Sequence, residues 1–416
     1  MIRVRGAAAW GLAVAIAVVV AFSAGAGRAQ EEPPAKAGGG PVSRAEALEV
    51  GKRLADAIVR LDAKAFEGAM DMEALMETAT AGVKAPDRFK QDFLKGAREA
   101  QGRDGSPLLV EFRPAVKAGA RVRVTRGLEW QGKPAFLLRM IAADGNASYL
   151  VFLVERRPGG AIKAVDYYSL ATGELASQAA HRLYVSTLAQ VNRGLLDRVL
   201  GQDQAFLKHI DDLKRMAASN REGRGTDVLT IYEALPEELK NEKVFQVLRF
   251  SGAQKTGDNA KYLEAIRDFA RRFPGDPACE FLLVDGYFLM KQPEKSLGCI
   301  DNLEKTLGED AYLKVLRANL LTLLKRPDDA LAEYRAAIAA EPDLRPAYDG
   351  LLAAALGRKK FAEVAKVLDG LESQLHQEIN DLSGVDEFKE FLASPEGQAW
   401  ARAQKAKKAG DGKPKP

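Results

Sequence analysis

DDALAEYRAAIAAEPDLRPAY, running from Asp328 to Tyr348, spaces Ala330, Tyr334 and Ile338 four apart and then breaks at Pro342. Residues so spaced share one helix face, and a proline just past the last turn stops the helix. The frame returns at a fixed interval. A step of 34 back from Ala330 reaches Ser296, with Ile300 and Leu303 at matching offsets; the same step forward reaches Val364, Leu368 and Leu371. One more step back gives Tyr262, Ile266, Phe269 and Pro274, so Pro274 and Pro342 stand two periods apart with Gly308 between them. Another step reaches Val228, Tyr232 and Leu235, the second helix of a degenerate fifth unit whose first helix falls in the polar stretch before Arg224. Self-similarity at such a period marks a stack of like supersecondary units.

With small, aromatic, apolar and proline residues at these positions, the segment resembles the second helix of a tetratricopeptide repeat, a family whose period is about 34 residues. The fit departs from the family at Tyr262 and Val364, where a small residue is usual, and the first-helix signature survives mainly as Leu283 and Tyr287. The resemblance implies an all-α solenoid over residues 225–376. It also implies a non-enzymatic scaffold in which the first helix of each unit lines a groove for a protein or peptide partner. Counted in the family frame, the groove positions are Phe281, Asp285, Phe288, Tyr312, Asn319 and Asp349. Of the Lys, Arg and Asn residues that capture a chaperone's C-terminal carboxylate in this family, only Asn319 has a match, while Asp285 and Asp349 carry the opposite charge. An apolar or basic segment is the expected occupant.

Each helix pair leaves an apolar face that only its neighbour can cover, so the stack needs a cap. Residues 377–401 are expected to supply it. Ser394 before Pro395 and Glu396 is a helix-start signal, and Phe388, Phe391 and Trp400 are placed to cover the last unit.

Residues 44–176 read as a different domain. ALEVGKRLADAIVRLD places Ala47, Val50, Leu54, Ala57, Ile58 and Leu61 on one helical stripe, and helices are expected to about residue 100. Between 108 and 170 the period changes to that of strands, with turns at Gln131-Gly132, Asp144-Gly145-Asn146 and Pro158-Gly159-Gly160. Short turns of this kind join antiparallel strands, and helices preceding a four-stranded antiparallel meander make an α+β domain. This order of elements looks like the nuclear-transport-factor-2-like cone fold, which implies a cavity able to hold a small ligand or an enzymatic site. Asp166 with Tyr167 and Tyr168 would be its acid and donors, but alternation along a strand puts neighbours on opposite faces. Two helical patterns in residues 177–224 connect this domain to the repeats or join their first layer.

The ends carry the remaining signals. Arg3 and Arg5 precede an apolar run and the small-residue stretch SAGAGRAQ, the order of a secretory signal peptide over residues 1–29. That places the chain in the periplasm or outside the cell, or leaves it membrane-anchored if the segment is retained. Residues 30–43 are rich in Pro, Gly and charge and read as a disordered linker. The tail, residues 402–416, holds one Arg and five Lys against Asp411 and is likewise expected to be disordered, with weak contact to an anionic envelope as its use. The net charge is +4 over the whole chain; without the three leader arginines and the tail's +5, the body is near −4. A nucleic-acid partner calls for a basic stripe on the folded body, so none is expected. Cys279 and Cys299 fall out of register on paired helices and are expected as buried thiols. His181, His209 and His376 lie on separate helices with no zinc-type spacing, and no phosphate loop or nucleophile elbow is present. No metal, cofactor or catalytic residue is expected.

Overall fold

The computed structural model describes residues 41–83, 85–104, 107–191 and 202–411, so the expected leader, nearly all of the linker and the last five residues lie outside the described residues. Among the described residues five helices come first: α1 (Arg44–Arg60), α2 (Ala63–Ala69), α3 (Met72–Thr80), α4 (Asp87–Asp104) and α5 (Pro107–Lys117). A capping box opens α1, with Ser43 accepting from the Glu46 amide and Glu46 accepting from the Ser43 amide. Ala47, Val50, Leu54, Ala57 and Ile58 are buried along it as the stripe requires, and Leu61 ends it in the left-handed region at φ 53°.

The strands follow in order: β1 (Arg121–Trp130), β2 (Lys133–Ile141), β3 (Ala147–Arg156), β4 (Ile162–Ser169) and β5 (Glu174–Leu175). They form one antiparallel sheet ordered β1-β2-β3-β4-β5. Gln131 and Gly132 both have positive φ, 50° and 77°, in the two-residue turn between Trp130 and Lys133. That turn twists with the strands it joins. One expectation changes here. The sheet has five strands, not four; PLLVEFRPAVK, just before the first of them, is the helix α5.

Both faces of the sheet are buried. Phe136, Leu138, Met140, Leu150, Phe152 and Tyr167 point into one core with α1 to α5. Ala135, Leu137, Arg139, Tyr149 and Val151, on the alternate positions of β2 and β3, are at most 1 % exposed as well.

Helices then run to the end: α6 (Ala176–Val191), α7 (Gln202–Lys208), α8 (Ile210–Arg221), α9 (Gly225–Glu233), α10 (Glu237–Lys240), α11 (Lys243–Lys255), α12 (Asn259–Arg272), α13 (Pro277–Leu289), α14 (Pro293–Leu307), α15 (Ala311–Leu323), α16 (Pro327–Ala340), α17 (Arg345–Gly357), α18 (Phe361–Leu375), α19 (Lys389–Ala393) and α20 (Pro395–Asp411). First helices start at positions 243, 277, 311 and 345, and second helices at 225, 259, 293, 327 and 361, each 34 after the last. Helix α8 packs on α9 as the first helix of a fifth pair, so the polar stretch before Arg224 belongs to the repeats.

The turn inside each pair repeats too. Gly223, Gly257, Lys291, Lys325 and Lys359 follow one another at the same interval, and all have φ between 53° and 77°. A left-handed residue ends a helix at little cost when it is glycine and at about 1 kcal/mol or more when it carries a Cβ. Replacing the exposed Lys325 with glycine is therefore expected to raise stability by up to about 1 kcal/mol, read as a higher urea midpoint at unchanged slope.

The chain divides into two compact units, Met1–Met290 and Lys291–Pro416. The division falls inside a helix pair, between α13 and α14, and the sheet and the first repeats lie in the same unit. In the second unit α14 to α18 pack in succession and α20 packs on α18. The Ser394 Oγ accepts from the Gly397 amide at 3.1 Å, capping α20, and Phe391 is fully buried against Phe361 and Trp400. The tail departs from expectation: α20 continues through Arg402 to Asp411, and Lys407 meets Glu372 at 3.2 Å.

Candidate functional site

First helices lie side by side within each unit, as α8 and α11 do in the first and α15 and α17 in the second. The six groove positions fall on this series of helices but differ in access. Phe281, Asp285 and Tyr312 are buried, 4 %, 5 % and 6 % exposed, which corrects the expectation that they face an open groove. Phe288 and Asn319 are half-buried and Asp349 is exposed. Asn319 accepts from the Tyr334 hydroxyl at 2.6 Å, and Asp349 pairs with Arg345 one turn earlier at 3.0 Å.

Phe281 is covered by the chain's own sheet. Its ring meets that of Tyr149 edge-on, centroids 5.8 Å apart, and Tyr149 stands on the outer face of β3. Asp285, one turn further along α13, accepts from the Tyr262 hydroxyl at 3.1 Å, and its Oδ1 has no partner. Burial pushes this carboxyl up to about 6. Its proton is held more tightly in the folded protein than in the unfolded chain, so its contribution to stability is complete below about pH 4, falls as pH rises towards 6 and levels off beyond it. Asp285→Asn is expected to gain about 3 kcal/mol at pH 7.5 and none at pH 3.5, by denaturant titration at the two values.

A polar cluster joins β4 to the first helices. Asp276, the N-cap of α13, accepts from the Ala278 amide at 2.9 Å and from the Tyr168 hydroxyl through Oδ1. Its Oδ2 accepts from Lys243 Nζ at 2.5 Å, and the same ammonium donates to the Gly173 carbonyl. Gly173 has φ 71°, and a Cβ there would meet Phe269 at 2.9 Å, so only glycine allows the turn after β4 to approach the repeats. The Asp276-Pro277 start signal is readable in the sequence; its strand and lysine partners, 108 and 33 residues away, are not.

Tyr167 and Tyr168 lie on opposite faces, as alternation requires, Tyr167 in the helix-side core and Tyr168 on this cluster. Asp166 accepts from the Ser177 amide at 3.1 Å and the Ser177 hydroxyl at 2.5 Å, tying the start of α6 to the sheet. Burial raises its pKa, opposed by those hydrogen bonds. The acid holds a helix end.

A cleft of about 730 Å³ opens beside this cluster, with Ser177, His181, Phe206, Lys243 and Phe273 on its walls. Its charges pair with neighbours: Glu174 meets Arg182 at 2.6 Å and Lys243 meets Asp276. His181 Nδ1 lies 2.8 Å from the Ala79 carbonyl. Among the described residues no group of three His, Cys, Asp or Glu side chains is placed to hold a metal ion, and no helix is long and apolar enough to cross a membrane. Cys279 and Cys299 are buried free thiols; burial pushes Cys279 up to about 12.

A helix–turn–helix returning at one fixed interval, with the same left-handed turn in five places, is the decisive geometry. The period is that of a tetratricopeptide repeat. Solved structures to which the chain is similar are the MamA protein (12 % identity, 41 % of this chain and 96 % of that one, TM-score 0.35); TTC0263, a thermophilic TPR protein of Thermus thermophilus (18 %, 44 % and 97 %, TM-score 0.29); and the TPR2AB domain of yeast Sti1 in complex with pHSP90 (16 %, 54 % and 91 %, TM-score 0.23). No protein-family model and no curated protein matches the chain. None of these likenesses bears on the cone expected for residues 44–176, which rests on the order of its elements alone.

Proposed function

We propose that the chain is an exported, non-enzymatic adaptor that binds a protein segment on the first-helix face of its repeats. The observation that carries this is the regular series of helix pairs, which lays first helices side by side within each unit. Repeat stacks of this kind present extended surfaces suited to polypeptide partners. Export rests on the leader-like residues 1–29. The working surface is the one on α15 and α17, where Asn319 and Asp349 keep solvent access. Asp349 makes a basic segment the better match.

The test begins with affinity capture by the full chain from envelope extracts, followed by titration of the recovered partner into purified protein. Asp349→Lys is expected to weaken binding about tenfold, the effect of replacing an attractive rim charge with a repulsive one, about 1.4 kcal/mol. Unchanged affinity for Asp349→Lys and Asn319→Ala together would move the partner off this face.

A further inference from the structure

The surface that would receive a partner on α13 is already occupied. Phe281 is buried beneath Tyr149, the turn at Gly173 rests on Phe269 and Ala278, and Tyr168 reaches Asp276 from the same outer face of the sheet. Much of what fastens the sheet there is polar. Lys243 donates both to Asp276 and to the Gly173 carbonyl, so one ammonium bridges the start of α13 and the turn following β4. Lys243 also forms part of the wall of the 730 Å³ cleft, with 23 % of its side chain exposed, so water reaches the fastening without the core opening. A charge-assisted cluster reached by water is easier to exchange for hydration than an apolar core of equal area.

We infer that Tyr168, Asp276 and Lys243 form a releasable latch that holds the outer face of the sheet over the first helix α13, closing that part of the repeat surface to partners while the latch is made. This rests on the reading of the first-helix face as the partner surface. The sheet is then an occupant built into the same chain, and only release exposes Tyr149 and Phe281 together. Local opening of this sort lies below global unfolding in free energy and is read by amide exchange.

The experiment is hydrogen exchange of the full chain by mass spectrometry for wild type, Lys243→Met and Tyr168→Phe. Asp258→Ala serves as the control, because it removes the cap of α12 without touching the sheet. The latch predicts that Lys243→Met speeds exchange at least tenfold in both β3–β4 and α13, with a smaller rise in the same segments for Tyr168→Phe. Helix α1 and helices α15 to α18 stay at the wild-type rate, and Asp258→Ala affects α12 alone. Unchanged rates in β3–β4 and α13, or a rise spread evenly over residues 41–290, would overturn it. Should Lys243→Met fail to fold, Tyr168→Phe, which loses a single hydroxyl, decides by the same criteria. No partner enters the measurement, so its failure leaves the binding face on α15 and α17 standing, and failure of that face leaves the latch standing.

Discussion

Glu111→Gln is expected to stabilise the protein by about 3 kcal/mol at pH 7, an advantage that grows between pH 5 and pH 9. Glu111 sits on α5, and both of its carboxylate oxygens are buried without a hydrogen-bond partner. Burial pushes its pKa up to about 9 from 4.5. The folded protein therefore keeps a proton that the unfolded chain has lost above pH 4.5. Its contribution to stability is complete below that value, falls by about 1.4 kcal/mol per pH unit above it, and levels off past pH 9. Glutamine keeps the shape and has no proton to lose. Urea titrations at pH 4, 7 and 9 check this: the variant's advantage should be near zero at pH 4 and largest at pH 9. An equal advantage at all three would show that the carboxyl does not titrate between folded and unfolded states.

Gly225→Ala is expected to cost about 3 kcal/mol or more. A Cβ at Gly225 would overlap the Gly252 carbonyl oxygen, and one at Gly252 would stand 2.7 Å from Val228 Cβ. Helices α9 and α11 thus meet backbone to backbone, and backbone cannot swing aside as a long side chain can. The matched control is Gly298→Ala on α14, where nothing lies within 4 Å and removal of glycine's extra unfolded-state freedom should add about 0.5 to 1 kcal/mol. Thermal unfolding of the two variants separates a close helix crossing from a general dislike of alanine for glycine.

The helix pairs are legible in the sequence because their period is written in side chains that pack: Ala330 and Tyr334, Ser296 and Ile300, Tyr262 and Ile266 each repeat a buried face. The left-handed turn is not, since the position that must adopt it is glycine twice and lysine three times. The second buried face of the sheet has a signal. AFLLRMI, broken only by Arg139, and YLVFLV are near-continuous apolar runs, not alternating ones, which is how strands covered on both sides read. PLLVEFRPAVK, which forms α5, is harder to read, because its apolar residues crowd together and Pro114 lies inside the helix. The charge of the tail points away from its structure: Ala, Lys and Gln dominate its first half, and these favour helix once α20 has nucleated it. The groove residues show a different limit. Phe281 holds its place in the repeat frame, but which surface docks upon it depends on Tyr149, far earlier in the chain.

Site-specific photo-cross-linking from the full chain tests the adaptor reading most directly. A photoreactive residue at the exposed Ala353 on α17, one period beyond Asn319, reports the first-helix face, and one at the exposed Ala336 on α16 reports the second-helix face. Discrete protein adducts from Ala353 and none from Ala336 are predicted; adducts from Ala336 alone, or equal adducts from both, would contradict a partner surface on the first helices.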